Sequence, residues 1–467
     1  MLERDAALAT LERGFERTLD ELVDLARIPG VSAAGFDPGE VERSAVRVAE
    51  LLGESGLSGV ELLRVEDAHP YVVGEWCEAG PDAPTLLVYA HHDVQPPGRL
   101  DRWKTPPFEP TEKNGRLYGR GVVDDKAGLM LHLAALRAWL EATGALPVNV
   151  KLLVEGEEEI GSGHLEAFLR EHKASLAADV LVLSDTANLA TGLPSLTRSL
   201  RGLAAVDVTV RALDHPIHSG MWGGPAPDAA TALGAILGRL VDARGVPAVP
   251  GLFDGVPELS EAERARLAAL PFDEQVFRDD AGMLPGSVFA GEPERSVYER
   301  LWHRPSLALT ALEGMPMEGA ANQLMAEARA RVGVRIPPGQ DPERVRDAVV
   351  EFLRADPPWG VIVETECDVA VPGWATETEG PAFDAARRAM ALGFGCEPVE
   401  IGCGGSIPFV GPFVEVLSGA PALLLGLEDP PCNAHGENES LDLEDFRKAS
   451  RASVHLLAEL AEALPLP

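Results

Sequence analysis

The feature that most constrains this chain is a set of short apolar runs, each of which stops at residues able to bind cations. Thr85-Leu-Leu-Val-Tyr-Ala90, Val148-Asn-Val-Lys-Leu-Leu-Val154, Val180-Leu-Val-Leu183 and Ala422-Leu-Leu-Leu-Gly426 all have strand length. Runs of this kind suit strands covered on both faces, as in a largely parallel sheet. Helical spacing near the start (Leu11, Phe15, Leu19, Leu22, Val23, Ala26), from Lys126 to Thr143 and from Leu165 to Ser175 supplies the cover. The alternation predicts an open α/β sheet.

A second pattern begins at about Gly202, where Ala204 to Ala212 alternates with period two, as a strand with one wet face does. A helical stretch from Asp228 to Val241 follows. Strand patterns follow at Ser306–Ala311 and Glu327–Ile336, a helix at Asp341–Leu353 and a strand at Val361–Val369. A buried run of the first type returns only near Ala422. The expected organisation is therefore a first domain in two parts, residues 1–202 and 373–467, with an α+β two-layer domain inserted at residues 203–372. A length of 467 residues, 46% of them apolar, is enough for two cores. Residues 247–300, rich in Pro, Gly and acid, read as an excursion of the insert with short helices of its own.

Ligands of open α/β sheets collect beyond the carboxyl ends of the strands. Here the first run ends in His91-His92-Asp93, the second leads to Glu157-Glu158-Glu159, the third ends in Ser184-Asp185, and the last leads to His435. Between the first two lies Gly119-Arg-Gly-Val-Val-Asp124-Asp125-Lys126. Each signal alone is weak: a Glu triplet is ordinarily a solvated loop, and Asp-Asp before a helix is ordinarily a cap. Their convergence on one sheet edge is the stronger argument, because gathered carboxylates repel unless cations neutralise them. Imidazole and carboxylate without thiolate select zinc, with manganese or cobalt as alternatives. The donors outnumber the needs of one tetrahedral ion, so the expectation is two divalent ions about 3.5–4 Å apart, sharing a carboxylate and a water.

Composition excludes other classes. The 74 acidic and 40 basic residues give a net charge of −34, which repels nucleic acid and anionic membranes. No apolar run approaches the ~20 residues of a membrane span. The first residues lack the pattern of a secretory signal, so a cytoplasmic location is expected. Five scattered cysteines, never spaced as CxxC, suggest neither a disulfide framework nor a cysteine zinc site.

The ordered boxes Ala90-His-His-Asp-Val94, Leu117-Tyr-Gly-Arg-Gly-Val-Val-Asp-Asp-Lys126, Glu155-Gly-Glu-Glu-Glu-Ile-Gly-Ser162, Ser184-Asp185 and Asn433-Ala-His-Gly-Glu-Asn-Glu439 resemble those of a known family. It is the two-metal aminopeptidase-like hydrolases, which include carnosine dipeptidase, carboxypeptidase G, aminoacylase and succinyl-diaminopimelate desuccinylase; the resemblance is greatest to the dipeptidase branch. It implies a phosphorylase/hydrolase-like catalytic domain with an inserted lid and dimerisation domain. It further implies that His91, Asp124, Glu159, Asp185 and His435 hold the metals, with Asp124 as the bridge and a cis peptide bond after it. Asp93 orients His91, Glu158 is the general base, and His92 and Glu157 are left out, Glu157 as an exposed acid.

In the insert, His218 resembles the lid histidine that reaches the substrate carbonyl of a second subunit. Asn322 and Arg335 resemble residues that grip the substrate. Gly404 and Ser406 lie in Gly404-Gly-Ser-Ile-Pro408, which resembles the family's glycine-rich substrate loop. Related dipeptidases carry Arg-Glu before Gly-Gly-Ser, where this chain has Gly402-Cys403, which leaves recognition of a free amine open. The resemblance thus implies a homodimeric, metal-dependent hydrolase of amide bonds in dipeptides or small peptides. An N-acyl-amino-acid deacylase is the alternative, and a non-catalytic peptide-binding relative is a second one.

Overall fold

The computed structural model describes residues 2–405 and 410–464. Each apolar run forms a strand: Thr85–His91, Asn149–Glu155, Val180–Ala187 and Ala422–Glu428. The chain divides into two compact units, one formed by Met1–Arg198, Glu377–Ile401 and the C-terminal segment, the other by Ser199–Thr376 and a short segment from Gly402.

The first unit is built on a sheet whose order is Ser58–Leu63, Tyr71–Trp76, Asn149–Glu155, Thr85–His91, Val180–Ala187, Ala422–Glu428, Ser195–Leu200. The four central strands run parallel and the flanking ones antiparallel. The fold is thus mixed α/β with a mostly parallel core, as expected. Helix Lys126–Thr143 is buried along nearly its whole length and packs against helices Leu2–Ala26 and Leu443–Ala463. Side chains from both layers fill one continuous apolar core, for example Leu86, Val88, Leu129, Leu133 and Leu456. Parallel strands place their carboxyl ends on the same edge, and all four apolar runs therefore deliver their last residues there.

The second unit is a four-stranded antiparallel sheet ordered Ser306–Glu313, Glu327–Ile336, Gly202–Arg211, Ile362–Val371. Strand Gly202–Arg211 buries alternate residues, as its period of two requires. Its inward side chains Ala204, Val206, Val208 and Val210 share a core with Ala232 and Ile236 of helix Ala229–Leu237 and Val345 and Val349 of helix Pro342–Arg354. Both helices start on an aspartate that accepts backbone N–H groups: Asp228 from Thr231, and Asp341 from Glu343 and Arg344. The excursion carries the short helices Glu261–Ala269, Glu274–Asp280 and Val297–Trp302. Among the described residues, no helix is long and apolar enough to cross a membrane.

Candidate metal centre

All seven metal-site residues expected in the first unit meet at the carboxyl edge of its parallel strands. His91 ends one strand, Asp185 lies near the end of the next, and Glu158 and Glu159 sit in a single helical turn just after Asn149–Glu155. Asp124 precedes helix Lys126–Thr143 and is joined to Asp125 by a cis peptide bond. Gly121, at φ 77°, allows the turn into this loop. Gly128 is obligatory below it, since a Cβ there would lie 1.8 Å from Asp125 Oδ1.

The two oxygens of Asp124 face different partners. Oδ1 lies 3.0 Å from His91 Nε2, which is itself 3.7 Å from Asp185 Oδ2. Oδ2 lies 3.0 Å from His435 Nε2, which is 3.3 Å from Glu159 Oε2. The result is two half-sites, each an imidazole and a carboxylate, on either side of one shared carboxylate. His92 turns away, its Nε2 3.1 Å from the carbonyl of Pro70.

Hydrogen bonds fix several of these side chains from behind. Asp93 lies beside His91 Nδ1 (3.4 Å to Oδ1) and accepts from Ser32 Oγ (2.6 Å) and from the backbone N–H groups of Glu158 (3.2 Å) and Glu159 (3.1 Å). One buried carboxylate thus orients an imidazole and the acidic turn together. Glu159 also accepts from Gln95 N (3.0 Å) and Nε2 (2.7 Å). Glu439, fully buried, accepts from Gly121 N (3.0 Å), Val123 N (3.2 Å) and Arg120 Nη1 (2.7 Å). Arg120 in turn donates to the carbonyls of His435 and Gly436, each at 3.1 Å. This pair ties the loop that presents Asp124 to the one that presents His435.

The expected exposure of Glu157 is wrong. Its side chain turns inward at the start of the helical turn, is 2% exposed, and accepts from Tyr71 Oη (3.1 Å) and His164 N (2.9 Å). Two further acids, not anticipated from the sequence, join the cluster. Glu428 ends the last strand within reach of Asp124 and Asp185, and Asp125 lies within reach of His91 and Asp185. Glu428 obeys the same strand-end rule that flagged the others and was detectable by it.

Burial, reinforced by neighbouring carboxylates, pushes the pKa values of Asp125, Glu159, Asp185 and Glu428 well above the carboxylate range, and that of Glu158 to about 7. Burial also opposes ionisation of Asp124, yet hydrogen bonds from His435 and His91 hold its pKa low. No lysine or arginine among the described residues pairs with Asp124, Glu158, Glu159, Asp185 or Glu428. Crowded carboxylates and imidazoles with no lysine or arginine among the described residues to pair them are a donor set that divalent ions fit.

The remaining expected residues belong to the second unit. His218 is exposed on a two-residue ladder with Gln323, next to Asn322, whose carbonyl accepts from Ser219 N (2.9 Å). Arg335 is half-buried on Glu327–Ile336, in register with Leu203 and Ser306. The carbonyl of Gly404 accepts from Arg201 Nε (3.1 Å), and Arg201 was not anticipated. Ser406 lies outside the described residues.

Comparison with known proteins decides the affiliation. The model of peptidase family M20/M25/M40 matches residues 87–459. The chain belongs to this family. The M20 chain is 33% identical over 418 residues to the cysteinylglycine-S-conjugate dipeptidase of Corynebacterium striatum, covering 89% of each. It is 30% identical to the β-Ala-His dipeptidase of Rattus norvegicus, over 82% of this chain and 78% of the relative. Its fold matches that of the dipeptidase Dug1p from Saccharomyces cerevisiae with a TM-score of 0.87 at 26% identity, covering 98% of both chains. This M20 protein is therefore a metallopeptidase of the dipeptidase branch, a class that works with divalent metals.

Proposed function

We propose that this M20 enzyme hydrolyses dipeptides with two divalent ions, zinc first among them, held in half-sites that share Asp124. The carrying observation is the divergence of the two Asp124 oxygens, each toward its own imidazole and carboxylate. His91 and Asp185 complete one half-site and His435 and Glu159 the other. Bound cations supply Lewis acidity, which makes water nucleophilic at neutral pH and polarises the amide carbonyl.

The chain's own groups do the rest. Glu158, partly buried beside the half-sites, accepts a proton from the attacking water and returns it to the departing amine. Asp93 holds His91 and the acidic turn in place. His218 donates to the developing oxyanion, Arg335 pairs with a free substrate carboxylate through two parallel bonds, and Asn322, Gly404 and Ser406 position the substrate. We place the enzyme in the cytoplasm as a homodimer that exchanges His218 between subunits, with residues 203–372 as its lid.

One observation favours a second reading, hydrolysis of N-acyl amino acids. Position 403 carries a thiol whose Sγ accepts from Gly405 N at 3.3 Å, so no carboxylate stands there to receive a free amine. At position 402 a side chain longer than hydrogen would run into Trp302, since a Cβ would lie 2.6 Å from that ring. The test is metal analysis of the purified chain together with rates on unblocked dipeptides and on their N-acetylated counterparts. Two ions per chain and preference for unblocked dipeptides are expected. Turnover of acylated substrates alone would move the assignment to the deacylases.

A further inference from the structure

The second unit contains a cavity of about 450 Å³, within the ordinary range of small-molecule sites of about 300–1,000 Å³. Its walls are largely apolar, with Phe277, Met283, Val288, Phe289, Leu301 and Leu307 among them. Three arginines also line it, Arg201, Arg300 and Arg304, against one acid, Glu292. That acid is taken: Arg304 grips it through two bonds of 2.6 and 2.9 Å, and Arg295 adds a third at 3.0 Å.

Arg201 and Arg300 have no carboxylate partner among the described residues, although acids outnumber bases 74 to 40 in the chain. Arg201 is 8% exposed and is held in place by neutral acceptors, the Gly404 carbonyl at 3.1 Å and Ser306 Oγ at 3.0 Å. Arg300 donates to the Ala290 carbonyl (2.9 Å), while its Nε is buried without a partner. Burial, with Arg335 nearby, pulls the Arg201 pKa down to about 10. A buried guanidinium lacking a counter-charge is costly, and in an acidic chain a carboxylate could readily have evolved beside it. A ligand anion would supply the missing charge.

The chemistry of that ligand follows from the walls. With part of its fork committed to Gly404 and Ser306, Arg201 offers charge for one monoanionic group, which suits a carboxylate. The aromatic and aliphatic lining suits an apolar body. His218, Asn322 and Arg335, the substrate-gripping residues of the proposed function, are not among the lining residues. We propose that this cavity binds a monocarboxylate with an apolar or aromatic body, anchored by Arg201. Its source is either the end of a peptide being processed or a separate small acid.

The test is calorimetric titration of 3-phenylpropionate, and of its neutral amide, into the full metal-loaded chain. The acid is expected to bind at least tenfold more tightly than the amide, a comparison that needs no variant. Arg201→Gln should remove that preference, and Phe289→Ala should weaken the acid severalfold. Equal binding of acid and amide, no binding of the acid at millimolar concentration, or unchanged binding in both variants would overturn the site. Dipeptide hydrolysis in the presence of the acid separates the sources: a rise in KM alone assigns the cavity to the peptide's own end, and a fall in kcat at constant KM to a separate acid. Because binding is read without turnover, failure of the proposed hydrolysis would leave this test intact.

Discussion

The proposed metal edge of the first unit and the proposed substrate residues of the second are built on opposite plans. At the proposed metal edge several expected donors are held from behind, His91 by Asp93 and Glu159 by Gln95, and the backbones of the Asp124 and His435 loops are tied by Glu439 and Arg120. His218 lies exposed on a two-residue ladder with exposed Asn322 just before its partner strand, and among the described residues its Nδ1 accepts from Gly220 N, two residues on. The difference separates two tasks. Ion-binding groups must be preorganised because their mutual repulsion would otherwise scatter them, whereas groups that meet a substrate are better left free to move.

Three substitutions can break or sharpen that contrast. Glu158→Gln should lower kcat by about 10²–10⁴-fold, the usual contribution of a general base, while metal content stays unchanged. Residual activity close to that of the unaltered chain would remove Glu158 from its role. His218→Ala should lower kcat by about 10²–10³-fold, as loss of an oxyanion donor does, with only a small shift in melting temperature because the exposed side chain does no more than cap a four-residue helix. A large loss of stability would mean that the second unit is as rigidly wired as the first. Glu439→Gln should act in the opposite sense: it touches no substrate, yet it leaves Arg120 buried beside a neutral group. It should weaken metal binding by about 10–100-fold and lower the melting temperature, which chelator titration and calorimetry would read. Full metal affinity in that variant would show that the two loops hold their positions independently.

Much of this was legible in the sequence, for a physical reason. Apolar runs without alternation specify buried parallel strands, and parallel strands oblige their ends to share an edge. His91, the acidic triplet and Asp185 could therefore be placed together from the pattern of the runs alone. Glu428 is less conspicuous because the recognisable box that supplies His435 begins further on, at Asn433. The exposure assigned to Glu157 failed because a one-residue turn decides which of three adjacent acids faces inward, and Tyr71 and His164, which receive it, come from elsewhere in the chain. Arg120 and Glu439 lie in recognisable boxes, but their bond joins segments more than 300 residues apart and has no local signature. Arg201 was invisible for a similar reason: an unpaired guanidinium is defined by what fails to surround it.

The order of the proposed ligands along the chain has a consequence for how the protein is made. His91, Asp124, Glu159 and Asp185 are all synthesised before the second unit begins, and His435 only after that unit is finished. During synthesis, then, the nascent first unit holds a repelling group of acids with one imidazole missing and the last central strand not yet inserted. On the proposed ligand set, the full group of ion-binding side chains is therefore complete only once the closing segment, which carries His435 after the second unit, has been made.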